Sequence, residues 1–262
     1  MDALLASSRQ VKLSEFMSEQ TPEHISSMDW RINNLTWTTA PFISPGSSIP
    51  VPAGAAVTEA AIIHHGEERI GITTPNATAL FLNLSQACHL QAEQLISKCI
   101  SNKNEFGHLL EEIDVFAFYE QMMASIVFAH TSLESFVNEE IPDDYIHKVT
   151  DSRCTQHYNK EQIERYLNLD TKLGDILPDV LQVKSLKGGK LWSDFNKLKD
   201  IRDRVIHMKT KDREFQGEDK NSIWNVILCK PLPKTYETAK SLIEYFLSTK
   251  NKKPRWFEKC PF

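Results

Sequence analysis

The sequence has few of the features that place a chain in a common class. Its 262 residues include five cysteines, Cys88, Cys99, Cys154, Cys229 and Cys260, an odd number with no Cys-x-x-Cys pair. That excludes a disulfide framework and a zinc ribbon as the organising device and reads as reduced thiols. Glycine is scarce, nine residues, and the strings Gly-x-Gly-x-x-Gly, Gly-x-Ser-x-Gly and His-Glu-x-x-His do not occur. The common dinucleotide, hydrolase and metalloprotease classes therefore have no foothold. His64 and His65 are adjacent rather than spaced for chelation, so no metal and no cofactor is assigned. No apolar run approaches the ~18 residues of a membrane span. The opening MDALLASS carries an acid at position 2 and too short an apolar run for a signal peptide. The expectation is a cytoplasmic protein with no membrane partner.

What is present is enough apolar material, 41% of the residues, for one sizeable core or a core with a small appendage. Residues 1–75 have the texture of an appendage. A short amphipathic piece at Val11–Glu19 is followed by chain broken by Pro41, Pro45, Pro50, Pro52 and Pro75. There, Ala60–His64 and Arg69–Thr74 are candidates to pair as a hairpin. Residues 76–262 read as helices. Ala79–Ile100 places Leu80, Leu84, Ala87, Leu90, Gln91, Leu95 and Cys99 near one stripe, and Phe106–Ile141 is apolar around most of its circumference, as a central helix would be. After a polar loop, Lys160–Leu169 and Leu173–Val183 give shorter pieces, Ser222–Cys229 is apolar but of undecided type, and Lys234–Thr249 closes the set.

The richest stretch is Leu191–Lys209. Leu191, Phe195, Leu198, Ile201, Val205 and Met208 recur at steps of three and four, which predicts an amphipathic helix docked on a core. Arg202 falls at the margin of that stripe and His207 on nearly the opposite side. Asp203 and His207 are four apart, so the carboxylate can hold the imidazole in one tautomer. Charge concentrates here as well. Residues 184–213 hold ten Lys and Arg against four Asp, and residues 250–259 hold five against one Glu, on a chain whose net charge is −5. A basic island on an acidic body is what a local phosphate-binding surface looks like, and equally what a solvated helix face looks like.

The run Arg202-Asp203-Arg204-Val205-Ile206-His207 resembles the arginine, polar residue, three of anything, histidine pattern of HEPN domains. Leu133-Glu134-Ser135-Phe136-Val137-Asn138-Glu139 is similar to the Leu-Glu and Asn-containing end of the first long helix in many of them. The resemblance covers about residues 76–249. It implies an antiparallel helical bundle of HEPN type, so that the chain is expected to be mainly α, the bundle carrying the small irregular or β N-terminal appendage read from residues 1–75. It further implies a homodimer that brings two motif helices to one cleft, and metal-independent cleavage of RNA in a toxin or host-defence role. An antitoxin or regulatory partner would then restrain it.

The chemistry suits those residues. RNA carries its own nucleophile, the 2′-OH, so an enzyme needs only to move protons and stabilise the charged phosphorane. His207 would transfer the proton, Arg202 would hold the phosphate through its planar fork, and Asp203 would orient the imidazole. Glu134 and Asn138 would support Arg202, and Lys199, Arg204 and Lys209 would bind the RNA backbone. Against this stands a plainer reading, in which His207 caps the helix C-terminus, Arg202 pairs with a surface acid, and Glu134 and Asn138 satisfy each other. His130, set among Ile126, Val127, Phe128 and Leu133, reads as a hydrogen-bonded core histidine. Lys187-Gly188-Gly189-Lys190 reads as a turn. The alternative function is a non-catalytic dimeric scaffold that binds a nucleotide or protein partner; duplex DNA binding lacks a helix-turn-helix.

Overall fold

The computed structural model describes residues 28–33, 35–43, 50–102, 104–105, 112–150, 154–213, 221–250 and 253–262. The expectation for Val11–Glu19 falls outside them. The chain forms two compact units, one of Met1–Ala79 with Lys252–Phe262 and the other Leu80–Asn251.

The first unit is built from short antiparallel ribbons. Strand β1 (Leu35–Trp37) pairs with β4 (Ala56–Thr58), and β2 (Phe42–Ile43) with β3 (Pro50–Val51). Strands β5 (Ala60–His65) and β6 (Glu68–Thr73) form the hairpin foreseen from sequence, with His65 opposite Glu68 across a turn at Gly66. Gly66 has φ +62, a conformation glycine takes without a Cβ penalty. The C-terminal residues share this unit: Arg255 donates through both terminal nitrogens to the carbonyls of Asp29 and Met28, each at 3.0 Å.

The second unit is mainly α. Helix α1 (Ala77–Ser101) starts where Asn76, following Pro75, accepts from the Ala79 amide at 2.8 Å. Its buried face differs from the expected stripe. Leu82, Ser85, His89, Ala92 and Cys99 are buried, while Leu84 and Leu90 are 41% and 42% exposed. The reason is polar pairing. Ser85 and Ser125 donate to each other's backbone carbonyls, and Thr235 lies 2.7 Å from the Ser125 hydroxyl and 3.1 Å from His89 Nδ1. A face that satisfies its hydroxyls can be buried, and hydrophobic periodicity alone does not see it.

Helix α2 (Glu112–Glu140) is the centre. Phe118, Met122, Ile126, Ala129, Leu133, Phe136 and Val137 are fully buried, and their steps of mostly three and four place them on one broad face, while Phe116, away from that face, is 62% exposed. Strands β7 (His147–Thr150) and β8 (Thr155–Tyr158) form a second exposed hairpin where a polar loop was expected. Helix α3 (Lys160–Tyr166) is held by a capping box between Asn159 and Gln162. Helical segments Leu169–Thr171, Lys172–Ile176 and Leu177–Leu181 then run on from one to the next as α4, the middle one in π geometry. A π turn of this kind adds a residue without ending the helix.

Helix α5 (Lys190–Ile206) is the motif helix. It packs Phe195 and Leu198 fully inside, against α2 and its neighbours. The turn before it is fixed, since Lys187 pairs with Asp175 at 2.6 Å and Gly188 has φ +80. Helix α5 ends three residues before the expected Lys209: His207 is its C-cap, at φ −116 and ψ 46. The chain leaves the axis there to form the single turn α6 (Thr210–Arg213), whose Asp212 reaches back under Arg204. Helix α7 (Ile223–Leu228) resolves the undecided run, with Ser222 as N-cap. Helix α8 (Tyr236–Leu247) buries Ala239, Leu242, Ile243, Phe246 and Leu247, as their spacing predicts. In the first unit, α9 (Arg255–Glu258) buries Trp256 and Phe257. Among the described residues no helix is long and apolar enough to cross a membrane.

Candidate functional site

A cleft of about 550 Å³ lies in the second unit at the C-terminal end of α5. Three parts of the chain wall it. Helix α5 and its exit supply Lys199, Arg202, Asp203, Arg204, His207, Lys209 and Asp212; α2 supplies His130 and Glu134; the start of α4 supplies Asn168, Leu169 and Asp170. The sequence candidates Arg202, Asp203, His207, Glu134, Lys199, Arg204 and Lys209 therefore meet in one place. Asn138 does not line it. One turn beyond Glu134, its side-chain oxygen accepts from Lys172 Nζ at 3.1 Å, so it serves a buried ammonium instead of Arg202.

Lys172 is itself 3% exposed and gives a second hydrogen bond to the Glu164 carbonyl at 3.0 Å. Burial lowers its pKa, opposed by the charges of Glu134 and Glu164. A buried ammonium is tolerated when its donors are used and acids lie near. Nothing in the local sequence marks Lys172 as interior.

The walls are ion-paired. Arg202 Nη1 donates to Asp203 at 2.8 Å, Lys199 bonds Asp170, and Arg204 holds Asp212 at 2.6 Å while also donating to the Asn221 carbonyl at 2.7 Å. The basic island of the sequence is thus met partly by its own Asp203 and Asp212 and partly by Asp170 and Asp175, which lie outside it in the sequence and beside it in space. The pairs differ in weight. Asp212 is 1% exposed, so its partner Arg204 is committed to the fold. The Arg202–Asp203 pair is partly exposed, and such pairs are worth about 0–1 kcal/mol. An arriving phosphate can take Arg202 from Asp203 at little cost.

His207 is exposed at the cleft edge. Its backbone N–H donates to the Asp203 carbonyl at 2.9 Å. Among the described residues no hydrogen bond joins its imidazole to the Asp203 carboxylate, because the chain has left helical geometry at that residue. The expected orienting contact is therefore absent from this conformation.

His130 is buried, 4% exposed, but it is not the hydrogen-bonded core histidine that its apolar neighbours implied: Nδ1 has no partner. Burial first, then the Arg202 charge, pushes its pKa down to about 4, with Asp203 and Asp170 pulling the other way and Lys199 adding to the fall. Asn168 and Asp170 carried no signal of proximity to α5. Asn168 announces only a helix start, accepting from the Thr171 amide at 2.8 Å. Among the described residues no group of three or more His, Cys, Asp or Glu side chains is placed to hold a metal ion.

The low pKa of His130 has a thermodynamic consequence. The unfolded chain protonates this imidazole near pH 6.5 and the folded one near 4, so the unfolded state binds more protons between them. The contribution of His130 to stability is full above about pH 6.5 and lost as pH falls to about 4, by roughly 3 kcal/mol. Denaturant titrations at pH 7 and pH 4.5 should show this loss, and His130→Leu should remove most of it; an unchanged pH dependence in the variant would assign the loss elsewhere.

What fold and site define is a mainly helical protein with a polar, ion-paired cleft at the end of one amphipathic helix. Comparison of the chain with family models, with curated proteins and with solved structures finds no match.

Proposed function

We propose that this cleft is the active site of a metal-independent endoribonuclease, and that the second unit is a helical bundle of HEPN type. The observation that carries the reading is that Arg202 and His207 line one cleft with Lys199 and Lys209, none of which needs a metal to act on a phosphodiester. In the reaction the 2′-OH attacks phosphorus, the bond from phosphorus to the 5′-oxygen breaks, and a 2′,3′-cyclic phosphate and a 5′-OH result. One proton leaves the 2′-oxygen and one reaches the 5′-oxygen. His207 carries one of these transfers, and a second copy of the chain, in a homodimer joined at the cleft, supplies the other. Arg202 holds the phosphate, taking two of its oxygens once Asp203 lets go. Lys209 and Lys199 neutralise the neighbouring backbone. A toxin or host-defence role with an antitoxin or regulatory partner follows from the same reading.

The test is incubation of wild type and His207→Ala with total RNA in excess EDTA, with the 3′ ends analysed. Wild type is expected to leave 2′,3′-cyclic phosphates, and the variant to be slower by about 10²–10⁴-fold. Cleavage that His207→Ala leaves unchanged would overturn the assignment. A second reading, a scaffold that binds a nucleotide without cutting RNA, draws on a different observation: Lys199, Arg202 and Arg204 are all already paired with aspartates. It predicts salt-dependent nucleotide binding and no cleavage product.

A further inference from the structure

Two residues on the floor of the cleft have hydrogen-bonding capacity that the protein does not use. His130 makes no hydrogen bond to a described residue, and Nδ1 is its buried nitrogen, so the ring meets the cleft through its other edge. A buried N–H without an acceptor is rarer than a lone pair without a donor, which places the proton on Nε2. Burial and Arg202 keep this imidazole uncharged. It is therefore a steady single donor, and too weak a base to share the proton transfer assigned to His207. Asp170 binds Lys199 through Oδ2, while Oδ1 has no partner. Oδ1 is as buried as His130 Nδ1, so the oxygen that a ligand meets is Oδ2, which keeps a second lone pair beside its bond to the lysine. The floor thus offers one acceptor and one donor, the acceptor anionic and the donor neutral.

We propose that His130 and Asp170 form a base-selecting subsite, which takes a nucleobase with an exocyclic amino group in preference to uracil. In adenine, cytosine and guanine an amino N–H lies next to a ring nitrogen with a free lone pair. The amino group donates to Asp170 and the ring nitrogen accepts from His130. Uracil has one N–H between two carbonyls: with that N–H on Asp170 one carbonyl can accept from His130, but the other is left against the carboxylate, a repulsion the amino-bearing bases avoid. The volume of about 550 Å³ lies within the roughly 300–1,000 Å³ of small-molecule sites, and Arg202 and Lys209 on the same walls give the nucleotide's phosphate its cations. The proposal rests on the reading of the cleft as a nucleic-acid site, and it names the group that site prefers.

The experiment is calorimetric titration of the full chain with AMP, CMP, GMP, UMP and ribose 5-phosphate. Expected is binding of the three amino-bearing nucleotides about tenfold or more tighter than UMP and ribose 5-phosphate. His130→Leu should reduce that ratio to below about threefold while folding as well as wild type, because it replaces a poorly satisfied nitrogen with an apolar side chain. Asp170→Asn should also shrink the ratio, since an amide can donate to the uracil carbonyls. Because the readout is a ratio between ligands, altered phosphate affinity or partial unfolding does not imitate it. Equal affinity for all five ligands, no binding of any to wild type, or a ratio that survives His130→Leu would overturn the subsite. Failure of the nuclease reading looks different: the base ratio would be present with no RNA cleavage. The subsite alone fails if RNA is cut but the ratio is absent.

Discussion

Replacing Arg202 with alanine is expected, on the ribonuclease function proposed above, to slow RNA cleavage by about 10³-fold, the loss seen when one positioned donor to a developing oxyanion is removed. The fold should hardly notice, because the pair it makes with Asp203 is partly exposed and worth about 0–1 kcal/mol. Arg202→Lys separates charge from geometry. If the planar fork takes two phosphate oxygens, lysine recovers only a small part of the rate; if Arg202 supplies positive potential alone, lysine recovers most of it. Arg202 also presses the His130 pKa downward, second only to burial. Arg202→Ala should therefore raise that pKa and flatten the acid side of the stability curve, by the linkage that makes His130 costly at low pH. A variant that cleaves RNA within threefold of wild type would remove Arg202 from the chemistry.

Arg204→Ala should do the opposite, unfolding the protein more than it disturbs the site. Asp212 is 1% exposed and takes 3.1 and 2.6 Å hydrogen bonds from Nε and Nη2 of Arg204. Taking the guanidinium away breaks an ion pair made to a buried carboxylate, a change that costs roughly 3–5 kcal/mol. For a unit of this size that is a fall in Tm of about 6–15 °C. Lys197→Ala is the control, because its contact with Asp194 is 3.6 Å long and the lysine itself is exposed, and it should move stability by no more than about 0.5 kcal/mol. Thermal unfolding of the two variants decides it: equal Tm values would show that the buried pair carries no more than the exposed one. Two arginines, two residues apart on one helix, thus divide between site and fold.

Most of the helical scaffold was legible because burial repeats with the period of the helix. Leu242, Ile243, Phe246 and Leu247 in α8, and Phe195 and Leu198 in α5, sit where their spacing puts them. The buried face of α1 is turned from the one its apolar spacing predicts, because Ser85 and His89 are buried by hydrogen bonds to Ser125 and Thr235, far along the chain. The hairpin β7–β8 has no signature in the sequence, because its four-residue strands are exposed and polar, with no alternation to mark them.

By itself the sequence determined that this is a mainly helical chain with one amphipathic helix carrying Arg202 and His207 near its end. Those properties follow from local spacing, which a linear string records. Tertiary structure decided which neighbours those residues have. It drew Asp170 to Lys199 and Asp212 to Arg204, gave Asn138 to Lys172, ended α5 at Ile206 so that His207 leaves the Asp203 face, and set His130 in the floor of the cleft. Each is a pairing forced by the need to satisfy charge and hydrogen bonds where water is excluded. That need acts between residues close in space, whatever their separation along the chain.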